Sequence, residues 1–288
     1  MEISRHLTKK SLVVANDSGA ANQIYYFLKN EKKLNLSFFL TGPAKDIFKK
    51  ENCSQNLISA IKSSDLVLTG TGWQSKTEYN AIKYSKKYKI KVISFVDSPH
   101  NLNFRFNKRD KYFFPDIIVT KDESSFLKIK DLISKNIKLI KTKDYFVEFV
   151  KRNKILPKSN KILYLSSNYD DVVRKSRKKK IDYDIKLLNI FYKKIKKNRF
   201  LKNKKIFLRV HPSENKNKYI NSKIFKDMNI KITKENDFLK CIRNFKFVFG
   251  CETYGLVIAK YYGLKSYNNL KGTNIKPYLS KKFKLKIF

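Results

Sequence analysis

The chain has 288 residues, enough for one large or two modest domains, and its 42% hydrophobic content with 14% aromatics excludes a disordered polypeptide. No apolar run reaches the ~18 residues that a membrane-spanning helix needs. The formal charge of +41 is uneven: residues 1–150 hold 27 Lys and Arg against 15 Asp and Glu, residues 151–288 hold 38 against 9.

Such a field attracts nucleic acid, anionic lipid or phosphorylated ligands. A coding bias toward Lys, Asn and Ile would produce the same excess, and the sequence leaves both readings open. Residues 1–10 lack the apolar core of a secretory signal. The cysteines Cys53, Cys241 and Cys251 are odd in number and share no metal-ligand or redox spacing, so they read as reduced thiols of a cytoplasmic protein.

Short β-rich runs alternate with longer amphipathic segments from the start. Ser11–Ala15, Leu36–Leu40, Leu66–Leu68, Val92–Val96 and Ile117–Val119 read as strands, with a helix over Glu78–Lys87 among the segments between them. Ser75-Lys-Thr-Glu78 and Thr120-Lys-Asp-Glu123 have capping-box spacing and predict helix starts. Residues 142–160 are polar and Lys-rich and read as a linker or crossover. The alternation then resumes with strands Ile162–Leu165, Ile206–Val210 and Lys246–Phe249. Helices are expected over Tyr183–Lys197 and Leu256–Tyr262, and the dense run Arg174–Lys180 reads as a loop. The pattern predicts an α/β protein of two Rossmann-like domains, 1–150 and 151–288, whose parallel sheets face a cleft.

Three groups of residues suggest chemistry. Arg209-Val-His-Pro-Ser-Glu214 follows a strand directly, and Pro212 fixes the turn that aims the imidazole of His211. That imidazole can donate to a phosphate oxygen or act as an acid at a leaving group, and Arg209 lies two residues before it on the strand. Without such a role His211 would be a satisfied turn residue beside a cap made by Ser213. Gly250-Cys-Glu-Thr253 also follows a strand; Thr253 takes the N-cap position of a helix whose first amides favour an anion, with Gly250 and Glu252 in the turn. An ordinary capped turn would use the same residues. Cys251 reads as a buried filler.

In the first half, Asp17 at a strand tip can deprotonate a hydroxyl, or cap the next helix together with Ser18. Trp73 can stack on a sugar face. Glu78, Asp97, His100 and Arg105 add polar groups at the same sheet edge. With three histidines and no acidic triplet, no metal and no cofactor is expected.

The pairing of Arg209–Glu214 with Gly250–Thr253, together with Asn16–Asn22 and Thr69–Trp73, resembles bacterial GT-B-fold glycosyltransferases with a His-Pro motif. These are enzymes of capsule and lipopolysaccharide biosynthesis, including sialyltransferases that use CMP-activated sugars. The resemblance implies an inverting, metal-independent transfer from a nucleotide-sugar donor to a glycan or lipid-linked acceptor. It implies catalytic roles for His211 and Asp17 and a donor site of Arg209, Ser213, Glu214, Gly250, Glu252 and Thr253. Ser18, Trp73, Glu78, Asp97, His100 and Arg105 would serve the acceptor. A nucleotide-sugar epimerase or polyol-phosphate transferase of the same fold is the alternative. A nucleic-acid-binding protein is a further reading, although no nucleic-acid module is present. Peripheral attachment to an anionic inner membrane would use the helix Tyr183–Lys197 and the run Arg174–Lys180.

Overall fold

The computed structural model describes residues 2–8, 10–31, 35–50, 52–73, 75–108, 111–170 and 182–288. The chain divides into two compact units, Met1–Phe149 and Val150–Phe288, each built on a parallel six-stranded sheet. The run Arg174–Lys180 lies outside the described residues.

In the first unit the strands are β1 (Ser11–Ala15), β2 (Leu36–Leu40), β3 (Leu66–Thr69), β4 (Lys91–Val96), β7 (Ile117–Thr120) and β8 (Lys138–Lys141), in the order β2-β1-β3-β4-β7-β8. Between β4 and β7 a two-strand hairpin pairs β5 (Asn107–Lys108) with β6 (Lys111–Tyr112). Every residue of β1, β3 and β7 is buried, as expected of parallel strands covered on both faces. Leu12, Val14, Val67 and Val92 pack under Ala81, Ile82 and Ile129 from the crossing helices.

The second unit holds β9 (Ile162–Leu165), β10 (Ile206–Arg209), β11 (Lys231–Ile232), β12 (Phe247–Gly250), β13 (Lys265–Asn268) and β14 (Lys286–Ile287), in the order β11-β10-β9-β12-β13-β14. Its core joins Tyr164 and Phe249 of the sheet to Leu188, Phe191 and Ile195 of the helix Tyr183–Lys197. That helix buries Ile185, Leu187, Leu188, Phe191 and Ile195, one apolar stripe at helical spacing, and leaves Lys186, Lys193, Lys196 and Lys197 outside.

In each sheet the first strand in sequence is flanked on both sides and the order reverses beside it, at β1/β3 and at β9/β12. Ligands of open α/β sheets gather at the carboxyl ends of strands flanking such a reversal. Both switch points are therefore where functional side chains should be sought.

Residues 142–160 are not a plain linker. They contain the helix Tyr145–Arg152, which buries Tyr145, Phe146, Val147 and Val150, with Tyr26 stacked on Phe146 at 4.9 Å. The helix after β7 is capped by Asp122, which accepts from Ser125 N at 3.0 Å, while Glu123 pairs with Lys141 instead of closing a capping box. Glu78 also departs from the capping-box expectation, because its carboxyl turns into the sheet edge.

Candidate functional site

At the switch point of the first unit, β1 is followed by Asn16 and Asp17. Asp17 caps the helix Ser18–Leu28: its Oδ1 accepts from Gly19 N at 2.8 Å and Ala20 N at 3.1 Å. Its other oxygen, Oδ2, points toward Gly72 in the loop after β3, where a Cβ atom would sit 2.7 Å from it and 2.3 Å from Glu78 Oε2. Any side chain at position 72 would have to displace one of those two carboxyls. Gly19 plays the same part for Asp97, whose Oδ2 would lie 2.0 Å from an added Cβ. Asp17, Glu78 and Asp97 thus converge on two glycine backbones.

Their charge states diverge for identifiable reasons. Glu78 is fully buried, its Oε1 accepting from Asn16 N at 3.1 Å and its Oε2 from Gly72 N. Burial, and then the negative charge of Asp17, push its carboxyl well above the usual carboxylate range. Asp17 is raised as well, by burial and then by Asp97. For Asp97 burial pulls the same way, yet the Arg105 guanidinium and Lys121 outweigh it and leave Asp97 below the ordinary value. Arg105 Nη1 bonds Asp97 Oδ1 at 2.8 Å and Thr71 O at 2.9 Å, and its Nε bonds His100 O at 3.0 Å. Burial thus shifts Glu78 and Asp17 upward, while Arg105 and Lys121 hold Asp97 below its ordinary value.

The remaining candidates of this unit sit around the cluster with less engagement. Ser18 opens the helix, its carbonyl accepting from Asn22 Nδ2 at 2.7 Å. The Trp73 carbonyl accepts from Lys108 Nζ at 2.9 Å. His100 is exposed, with Nδ1 2.9 Å from Ser98 Oγ.

In the second unit His211 and Thr253 stand on the same carboxyl edge, separated by the end of β9. The tail Ser166-Ser167-Asn168 joins their two loops: Ser166 Oγ accepts from His211 N at 2.7 Å, and Ser167 Oγ donates to Cys251 O at 2.7 Å. Asn168 Nδ2 donates to Ser213 Oγ at 2.7 Å, and that hydroxyl lies 2.7 Å from His211 Nδ1, which also accepts from Ser213 N at 3.2 Å. With Nδ1 accepting, the proton of the neutral ring belongs on Nε2. No motif marks the three residues after β9; only their place between β10 and β12 reveals them.

The acidic residues of both motifs turn inward. Glu214 has a fully buried side chain that receives His211 N at 3.0 Å, Tyr219 OH at 3.1 Å, Ser166 Oγ and Lys218 Nζ, so it holds the His-Pro turn. Glu252, at φ 46°, accepts from Tyr278 N at 2.9 Å, Leu279 N at 2.6 Å and Ser280 N at 3.3 Å, tying the segment before the helix Leu279–Phe283 to the end of β12. Neither carboxylate is presented as a ligand group. Arg209 reaches the carbonyls of Glu235 and Asn236 and lies over Phe238, bracing the loop after β11.

Gly250 is required by contact: an added Cβ would meet Thr253 Cγ2 at 2.8 Å and Leu165 O at 2.9 Å. Thr253 is the N-cap residue of the helix Tyr254–Tyr261, but its hydroxyl makes no capping bond. Cys251 is buried, and burial followed by the charges of Glu252 and Asp184 pushes its thiol up to about 12, so it is no nucleophile at neutral pH. Among the described residues, no group of three or more His, Cys, Asp or Glu side chains is arranged to hold a metal ion.

No family model and no curated protein matches the chain in sequence. Solved structures do match in fold. The UDP-GlcNAc 2-epimerase of Methanocaldococcus jannaschii, in complex with UDP-GlcNAc and UDP, has a TM-score of 0.60 at 13% identity, covering 96% of this chain and 88% of that one. The UDP-N-acetylglucosamine 2-epimerase of Rickettsia bellii has 0.59 at 14%, covering 92% and 80%. The S. aureus MnaA–UDP structure has 0.60 at 11%, covering 90% and 78%. At such identities the likeness is one of architecture: the chain has the α/β fold of these GT-B-like two-domain proteins, with two parallel sheets of six strands each.

Proposed function

We propose that the protein is an enzyme acting on a nucleotide-activated sugar, and that it epimerises a UDP-N-acetylhexosamine at C2. The observation that carries this reading is the convergence of Asp17, Glu78 and Asp97 on the backbones of Gly19 and Gly72 at one sheet edge, with Glu78 and Asp17 shifted upward and Asp97 downward. Inverting a carbon centre takes a proton from one face and returns one to the other, so it needs an acid and a base in one site. The fold neighbours point the same way, and the nucleotide named with them is UDP, which replaces CMP in the proposal.

In this reading His211 donates from Nε2 to a phosphate oxygen of the nucleotide. Ser166, Ser167 and Ser213 hold the imidazole and the loops around it. The turn Gly250–Thr253 offers the N-terminal amides of the helix Tyr254–Tyr261 to an anion. Asp17, shifted upward, is the acid and Asp97, held low by Arg105, the base, with Glu78 braced behind them on Asn16 N and Gly72 N.

Glycosyl transfer to a glycan or lipid-linked acceptor is the second reading. It is favoured by Asp17, whose Oδ1 is occupied by capping while Oδ2 makes no capping bond, which suits a base for an acceptor hydroxyl. Incubation with UDP-GlcNAc in D2O separates the two by NMR. Epimerisation gives the manno epimer with solvent deuterium at C2 and no acceptor. Release of UDP only when an acceptor is added, without deuterium at C2, supports transfer. If UDP, CMP and GDP all fail to raise the melting temperature, both readings fall.

A further inference from the structure

The edge of the second sheet opposite the candidate site differs from the rest of the protein. Because all six strands are parallel, their amino-terminal ends emerge together. The segments that lead into β9, β10, β12, β13 and β14 are residues 151–161, 196–205, 243–246, 263–265 and 284–286. Together they carry sixteen Lys and Arg and not one Asp or Glu. Asp227, in the segment that leads into the outermost strand β11, is the one acidic residue near this edge; Asp170, Glu214, Glu235, Asp237 and Glu252 lie at or near the opposite one. A coding bias scatters lysines; it does not leave five adjoining strand lead-ins without a carboxylate.

Backbone bonds join these segments into one surface: Ile155 N to Tyr262 O at 3.0 Å, Lys158 N to Arg243 O at 3.0 Å, Ile162 N to Lys205 O at 3.0 Å, Phe247 N to Lys161 O at 3.3 Å and Lys265 N to Lys246 O at 3.1 Å. Within them stand Leu156, 90% exposed, and Phe200, 84% exposed. Lys154 and Lys158 are the exposed cations on either side of Leu156, and Arg199 and Lys202 those around Phe200. An apolar side chain held in water among cations, on loops otherwise tied down, is the arrangement by which a peripheral protein inserts into a lipid headgroup layer.

We infer that this amino-terminal edge of the second sheet docks on an anionic lipid bilayer, with Leu156 and Phe200 entering the interface and the surrounding lysines and arginines meeting the headgroups. The chemistry favours lipid over nucleic acid, since Leu156 has no π face on which a base could stack, while acyl chains accept an aliphatic and an aromatic side chain alike. Attachment is peripheral, because no helix among the described residues is long and apolar enough to cross a membrane. The strands separate this edge from His211 and Thr253 by about 13 Å, at ~3.3 Å per residue, leaving the nucleotide loops on the far side of the sheet. The inference does not depend on which sugar reaction the protein performs.

Co-sedimentation of the full chain with vesicles tests it. Vesicles of phosphatidylcholine alone should leave the protein in the supernatant, and vesicles with about one third phosphatidylglycerol should pellet it, with release on raising salt. The double variant L156S/F200S should weaken binding to the anionic vesicles about tenfold or more, and R199E/K202E should do likewise. Both should melt at the wild-type temperature, since the substituted side chains are exposed. Equal partitioning to both vesicle types, or no binding to either at low salt, overturns the inference. So does unchanged binding of L156S/F200S, or single-stranded RNA bound equally well by wild type and that variant, either of which would reduce the edge to a general polyanion surface.

Discussion

The Ser213 hydroxyl lies 2.7 Å from His211 Nδ1 and accepts from Asn168 Nδ2 at the same distance, and Ser213 N donates to that same Nδ1 at 3.2 Å, so the ring nitrogen acts as an acceptor. This chain holds His211 in the tautomer that donates from Nε2. Removing the ring should cost more than removing its holder. His211→Ala is expected to lower turnover ~100-fold or more, and Ser213→Ala ~10-fold with a smaller effect on KM. Steady-state kinetics on UDP-GlcNAc checks both, and an unchanged kcat in a folded His211→Ala protein would return the residue to a turn-forming role.

Glu78 should leave a signature in the pH dependence of stability. Its folded-state carboxyl titrates well above the ordinary 4.5, so between that value and its raised one the native state binds more protons than the unfolded chain. Stability from this group is therefore full below about pH 4.5 and is lost as pH rises toward the native value. Glu78→Gln cannot titrate, and its amide NH2 faces one of the two backbone donors, so it should be less stable overall by ~1–3 kcal/mol. The difference between the two proteins should shrink as pH rises from 5 to 8. A constant difference in denaturant midpoint over that range would show that Glu78 is not protonated in the native state.

Gly72→Ala probes the same cluster without touching a titratable group. The new Cβ would fall within 2.7 Å of both Asp17 Oδ2 and Glu78 Oε2, so one carboxyl must move. Overpacking of this kind costs ~1–3 kcal/mol. The expected result is a lower melting temperature and a shifted acidic limb in the pH–rate profile. An unshifted limb would separate the carboxyl pair from catalysis.

Glu252 is predicted to matter for stability more than for nucleotide binding. Glu252→Ala leaves the amides of Tyr278, Leu279 and Ser280 without their acceptor and should destabilise the second unit by ~2–4 kcal/mol. Limited proteolysis should then cut near residues 270–280 first. A variant with wild-type melting and no thermal shift from UDP would instead make Glu252 a ligand contact.

Much of the scaffold is legible along the chain. Ser11–Ala15, Leu36–Leu40 and Ile162–Leu165 are strands at the residues their apolar runs indicate, and the helix Tyr183–Lys197 matches its amphipathic stretch. These are local matters, decided by apolar periodicity and caps over a few residues. Strands β11, β13 and β14 escape such reading, because Lys265-Ser-Tyr-Asn268 and two-residue segments lack an apolar pattern and pair only where the sheet offers an edge. The helix Tyr145–Arg152 hides for a different reason: its short run of Tyr145, Phe146, Val147, Phe149 and Val150 is flanked by lysines on both sides, and packing against Tyr26 decides its burial.

By itself the sequence determined that strands alternate with helices, that the sheets are parallel, and that His211 and Gly250 leave strand carboxyl ends, since each follows from residue type and spacing. Tertiary structure alone decided that β9 lies between β10 and β12, bringing Ser166–Asn168 to His211, and that Glu78 abandons its cap for Asn16 N and Gly72 N. Strand order is set by crossovers between segments far apart in the chain. The charge of a carboxyl is set by the water it loses and the charges it meets on burial. Neither quantity exists until the two ends of the chain's contacts are in place.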